Sequence, residues 1–271
     1  MTDTNPDAAS KPFADDYQVV GRRLPAGRGW RWIAEAFALF RKQPGMWILT
    51  VVALGVLFLA VGMIPIVGSY ASALLFPILG GGLMLGCNDL NRGGPFDFEH
   101  LFAGCTQKTG DLVMVGAFNL FGWVVITFAV DFAIGGGVFK SVAPGAIEGA
   151  SPSLASLQIA MLLATGLSLP LCLATWFAPA LIVLEGVSAT DALKASIVAC
   201  LRNWLPFLVY SAVLFVPCLV VAVPVSLASL DLVPVLIATL LAGLVYLVLM
   251  PVLIASVYTA HRDIFCAGQE V

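Results

Sequence analysis

A chain of 271 residues that is 60% apolar and only 11% charged is not that of a soluble domain, which carries about 25% charged residues. Its net charge of -3 averages basic connecting segments with an acidic N-terminal stretch (Asp3, Asp7, Asp15, Asp16), so it gives nucleic-acid binding no support.

Residues 1–25 are polar, with no run able to pack a core, and are expected to form a disordered cytoplasmic tail. They lack the basic start and apolar stretch of a signal peptide, so no cleavage is expected. Six long apolar segments follow, at 46–63, 68–88, 112–134, 155–184, 205–229 and 233–260. A hydrocarbon core about 30 Å thick needs roughly 20 apolar residues per helix, and each segment supplies that or close to it. Lipid cannot satisfy free peptide groups, and the period-2 alternation of a barrel is absent, so the spans are predicted to be helices. The fold class is therefore all-α and polytopic, with a six-helix membrane domain over 26–265 and a C-terminal tail over 266–271.

Positive charge falls on alternate connections. Lys11, Arg22, Arg23, Arg28, Arg31, Arg41 and Lys42 precede the first span, Arg92 and Lys108 follow the second, Lys194 and Arg202 follow the fourth, and Arg262 follows the sixth. Of the other three connections, only the long one holds a cation, Lys140. Basic residues resist translocation, so the basic side is expected to be cytoplasmic, with both termini inside, in a bacterial inner membrane.

The stretch before each odd-numbered span has helical spacing of its own. In Trp30–Lys42, the residues Trp30, Ile33, Phe37 and Phe40 recur on one face, away from Arg31, Glu35 and Arg41. This predicts an amphipathic helix in the inner interface with its apolar face on the bilayer. Phe96–Lys108 and Thr190–Arg202 have a similar cadence, and Thr190 is the expected cap of the second. Each even span carries a proline (Pro77, Pro179, Pro251) followed twelve residues later by an aspartate (Asp89, Asp191, Asp263). The pattern reads as three repeats of interfacial helix plus transmembrane hairpin, at about 30–92, 96–185 and 189–263. The long connection between Asp131 and Leu154 is rich in glycine and proline and is expected to be mobile.

Candidates for chemistry are few. No charge falls at a span midplane, where a coupled transporter would carry its working residue. Asp131 is the carboxylate nearest the interior, at the outer end of the third span, and is expected to be a hydrated interfacial group. Asn119 is an amide well inside a span, and an amide cannot satisfy itself locally, so an inter-helix contact is expected of it. Gly82-x-x-x-Gly86 and Ala238-x-x-x-Ala242 offer small faces for close helix packing. His100 and His261 are the two histidines, which excludes a His-rich metal site, and both are expected to be ordinary interfacial residues. Cys87, Cys105, Cys200 and Cys266 are the set that would gather at the inner face if the cysteines held a metal, but small buried hydrophobes are the expected reading. With no protease, hydrolase or nucleotide-binding motif, no enzyme, cofactor or metal is expected.

The runs FALFRKQPGMWI, PILGGGLMLGCNDLNRG (from Pro77) and PFDFEHLFAG (Pro95 to Gly104) together resemble an uncharacterised family of six-span proteobacterial inner-membrane proteins. The resemblance covers most of residues 30–265 and is most specific over 76–104. More distantly, interfacial helix plus hairpin resembles the membrane domain attached to some glycerophosphodiester phosphodiesterases. No phosphodiesterase domain is expected in this chain, so neither resemblance brings functional residues with it. The function expected is therefore a non-enzymatic, lipid-associated or partner-binding envelope protein. Arg31, Arg41, Lys42, Lys108, Lys194 and Arg202 are its candidate headgroup contacts, and membrane lipids, other inner-membrane proteins or a second copy are its expected partners. The alternative is a transporter or channel for a small apolar or amphiphilic solute, with Asn119 and Asp131 as its polar contacts.

Overall fold

Each apolar segment becomes one helix long enough to cross a membrane. In a computed structural model of the chain, which describes residues 21–65, 67–134, 153–230 and 234–266, the six spans are Pro44–Gly62, Val67–Asn91, Thr109–Ala133, Leu154–Glu185, Trp204–Ser229 and Val235–Cys266. No strand occurs among the described residues. The expected ends lie within three residues of those observed, except that the sixth span runs on to Cys266. The connection between the third and fourth spans lies largely outside the described residues.

The elements in chain order are α1 (Arg28–Lys42), α2 (Pro44–Gly62), α3 (Val67–Asn91), α4 (His100–Ala103) and α5 (Thr109–Ala133), then α6 (Leu154–Thr175), α7 (Ala178–Ala180), α8 (Ala189–Arg202), α9 (Trp204–Ser229) and α10 (Val235–His261). Two wider, π-helical turns finish the fourth and sixth spans, Leu181–Glu185 after α7 and Arg262–Cys266 after α10. Local chemistry sets the boundaries. Arg41 and Lys42 end α1 where the helix dipole favours cations, and Pro44 opens α2 at a position whose N–H needs no partner. Ser188, not Thr190, caps α8, with its hydroxyl accepting from the Asp191 N–H. The chain enters α5 through Lys108 at φ 55°, a left-handed conformation that costs a side-chain-bearing residue about 1–2 kcal/mol.

Almost all buried side chains lie at the basic end. They come from α1, the first turns of α2, α5 and α9, the last turns of α3 and α10, the end of the fourth span, α8, and Phe96 and Leu101. Towards the other end, Leu59, Met63, Phe121, Phe132, Leu162, Phe215, Leu236 and Leu240 are exposed. The asymmetry has a physical cause. Between spans, lipid tails are as good an environment as leucine, so nothing hydrophobic drives the apolar halves together. Elements that are not candidate spans, such as α1 and α8, gain about 1.5–3 kcal/mol for each large apolar side chain they bury from water.

The α1 helix uses that gain. Trp32, Ala36, Leu39 and Phe40 are buried against the protein, with the Trp32 ring 5.3 Å from Phe207 and 6.2 Å from Tyr210. Trp30 and Phe37 stay exposed, so the expected bilayer face is divided: Phe40, assigned to lipid, belongs to the core. The second stretch is not a long helix. Only the turn α4 forms, because Phe96 leaves the surface to stack on Trp47 at 4.2 Å. Gly82 and Gly86 seat this segment, not another span, since side chains there would run into His100 and Phe96. Residues 21–25, assigned to the tail, are docked: the Arg22 N–H donates to the Ile264 carbonyl, 3.0 Å. Cys266, assigned to the C-terminal tail, ends a helical turn. Proline does not set the even spans apart, since α9 contains Pro217 and Pro224.

Three side chains at the mouths of the odd spans tie the interfacial segments together. Gln43 Oε1 accepts from the Phe96 N–H at 2.8 Å, Asp111 Oδ1 from Ala189 at 3.0 Å, and Asn203 Oδ1 from Leu24 at 2.9 Å. Each bond runs from one hairpin to a different interfacial segment.

Candidate functional site

The even spans end together at the basic face, around a cleft of about 650 Å³. Asn88, Asn91 and Arg92 reach it from the end of α3, Glu185 from the fourth span, and Tyr258, His261, Arg262, Asp263 and Cys266 from the sixth. Arg22 and Arg28 close it from the segment leading into α1.

Asp263 organises one wall and is 4% exposed. Its Oδ1 accepts from Arg22 Nη2 at 2.7 Å, while its Oδ2 accepts from Arg28 Nε at 2.5 Å and from the Trp32 indole N–H at 2.9 Å. Arg22 Nε also bonds the Asp263 carbonyl, 2.6 Å. A carboxylate removed from water needs this many charged donors to remain ionised. Nearby, Arg262 is taken by Glu35 at 2.9 Å and Asn91 at 2.7 Å, and Tyr258 donates to Asn88 at 3.2 Å. Sequence spacing singled out Asp263 as a repeat mark but did not show that α1, some 230 positions away, would supply its partners.

In the same cleft, Glu185, His261 and Cys266 come together. The Cys266 thiol donates to Glu185 Oε1 at 3.3 Å, and His261 Nε2 lies 3.7 Å from the same oxygen. His261 is fully buried, not interfacial as expected, and its Nε2 has no hydrogen-bond partner. Among the described residues these three are the one group of His, Cys and acidic side chains close enough to hold a metal ion, and they include just one of the four cysteines considered. Cys87 and Cys200 sit in the packed core as expected, and burial pushes the Cys200 thiol up to about 12. Cys105 is exposed.

The six candidate headgroup residues are all exposed: Arg31, Arg41 and Lys42 on α1, Lys108 at the mouth of α5, and Lys194 and Arg202 on α8. Lys42 bonds the Leu90 carbonyl and Lys108 the Gly186 carbonyl. Lys194 alone of the six has a carboxylate neighbour among the described residues, Asp191 at 4.0 Å. The polar pair proposed for solute contact, Asn119 and Asp131, lies on one helix, α5. Asn119 Oδ1 is buried without a hydrogen-bond partner, so the expected inter-helix bond from that oxygen is not made. Asp131 is 5% exposed and therefore not the hydrated carboxylate expected.

The chain is similar to a probable inner membrane protein of Burkholderia thailandensis, 29% identical over 220 residues that cover 76% of this chain and 78% of the relative. No family model matches the sequence, and no solved structure matches it. Six apolar helices of spanning length, with the likeness to an inner membrane protein, make this chain a multi-pass inner-membrane protein.

Proposed function

We propose that the protein is a non-enzymatic, lipid-associated component of the inner membrane that holds anionic phospholipid headgroups at its basic end, which faces the cytoplasm. The observation that carries the reading is the set of exposed cations at that end. Arg31, Arg41, Lys42, Lys108 and Arg202 have no carboxylate partner among the described residues, and they stand beside exposed aromatic side chains at Trp30, Phe37, Phe98 and Phe102. Aromatic rings at headgroup depth, with cations above them that no carboxylate neutralises, suit an anionic leaflet, at about 1 kcal/mol per cation. Three related units supply this collar. The three bonds from Gln43, Asp111 and Asn203 to neighbouring interfacial segments support that reading, as does the pairing of Asp89 with His100 of α4 and of Asp263 with α1.

Native mass spectrometry of the purified protein tests the proposal. The wild type is expected to retain phosphatidylglycerol or cardiolipin in preference to phosphatidylethanolamine. Replacing Arg31, Arg41 and Lys42 by Gln should weaken that retention by roughly a hundredfold, at about 1 kcal/mol per charge. Equal retention of neutral and anionic lipid, or an unaffected triple variant, contradicts it. Passage of a solute remains the second reading, favoured by the unsatisfied Asn119 oxygen inside the third span.

A further inference from the structure

We infer that Glu185, His261 and Cys266 form a binding site for a transition-metal dication, with Zn²⁺ the ion that fits the donor set best. A thiolate, an imidazole and a carboxylate are the ligand types zinc takes, whereas Mg²⁺ and Ca²⁺ require oxygen throughout. Their spacing fits as well. Cys266 Sγ and Glu185 Oε1 are 3.3 Å apart, Glu185 Oε1 and His261 Nε2 are 3.7 Å apart, and one ligand atom from each of the three residues lies within 4.8 Å of the other two. A tetrahedral ion with bonds of about 2.0–2.3 Å holds its ligand atoms about 3.3–3.8 Å from one another.

The second observation is the His261 ring itself. It is 0% exposed, and at 3.7 Å from Glu185 its Nε2 is beyond hydrogen-bond range. A buried polar atom left in this state keeps its desolvation penalty uncompensated, and a metal bond to Nε2 removes it.

Charge agrees with a dication. Three of the four arginines around the cleft are turned elsewhere, Arg22 and Arg28 to Asp263 and Arg262 to Glu35 and Asn91. Glu185 has no Lys or Arg partner among the described residues. Binding releases the Cys266 proton to solvent, and thiolate plus carboxylate then balance the two positive charges. Three protein ligands leave a fourth position open towards the cleft, where water or an anionic group completes the shell. Zinc ligands close in sequence are easily read as a motif. Here Glu185 is 76 positions from His261, so the set is assembled only when the fourth and sixth spans end side by side.

The inference is independent of the lipid reading and is tested by titrating the full-length protein in detergent with Co²⁺, then competing with Zn²⁺. One Co²⁺ per chain is expected, with a thiolate-to-metal charge-transfer band and the strong visible bands of four-coordinate cobalt, all displaced by Zn²⁺. Cys266→Ser should abolish the charge-transfer band. Glu185→Gln should weaken binding by roughly tenfold or more, and Cys105→Ser should change nothing. Cys266 and Glu185 are at partly exposed positions, so their variants keep the test decisive even if His261→Gln fails to fold. Absence of stoichiometric binding in the wild type, a charge-transfer band that survives Cys266→Ser, or equally tight binding in Glu185→Gln overturns the site.

Discussion

Asp263→Ala is expected to lower the thermal unfolding midpoint in detergent by roughly 5–10 °C, more than any other single charge removal at the basic end. The substitution leaves Arg22, Arg28 and the Trp32 indole without their shared acceptor. Breaking a buried ion pair from one side costs about 3–5 kcal/mol. Arg22 is 47% exposed here and regains water, so about 2–3 kcal/mol is the better figure, and for a chain of this size each kcal/mol moves the midpoint by about 2–4 °C. Glu35→Gln is the control. It removes the pairs to Arg28 and Arg262 at partly exposed positions, where less than about 1 kcal/mol is at stake. Equal midpoints for the two variants would show that Asp263 does not lock α1 onto the bundle.

The second large effect falls on a glycine. A Cβ at Gly82 would collide with the backbone carbonyl of His100 and lie 3.0 Å from the Gly104 nitrogen. Backbone cannot move aside as a side chain can, so Gly82→Ala must displace the whole 96–104 segment, at about 3 kcal/mol. One turn along, a Cβ at Gly86 meets the Phe96 ring at 2.7 Å and 2.9 Å. A ring can tilt, and Gly86→Ala should cost about 1 kcal/mol. Chemical denaturation in detergent reads both. The opposite order would mean that these glycines face a neighbouring span, as the G-x-x-x-G spacing alone suggests.

These two sites mark where reading the sequence stops. Spans were legible because a bilayer admits one backbone solution for twenty apolar residues, so composition alone decides helix or loop. Interfacial stretches were less legible, because an apolar stripe at helical spacing looks the same whether it lies on lipid or on protein. Trp32 is the example: absent from the expected bilayer face, it is the residue that anchors α1, its indole N–H donating to Asp263 and its backbone carbonyl accepting from the Thr259 hydroxyl. Phe96 is the converse, an aromatic residue that read as helical surface and instead pulls the chain out of helix to reach Trp47. The cleft was invisible for a different reason. Its walls come from positions 22–28, 88–92, 184–185 and 258–266, and no local pattern encodes which span ends meet.

Orientation in the membrane is the claim on which the lipid reading depends, since anionic headgroups are offered to the collar at the cytoplasmic leaflet. A reporter enzyme active only outside the inner membrane tests it directly. Fused at the N-terminus or after Val271, it should be silent; inserted at Gly145, in the long connection between the third and fourth spans, it should be active. Activity at the C-terminus would place the Arg31, Arg41, Lys42 and Arg202 collar on the outer side and contradict the account.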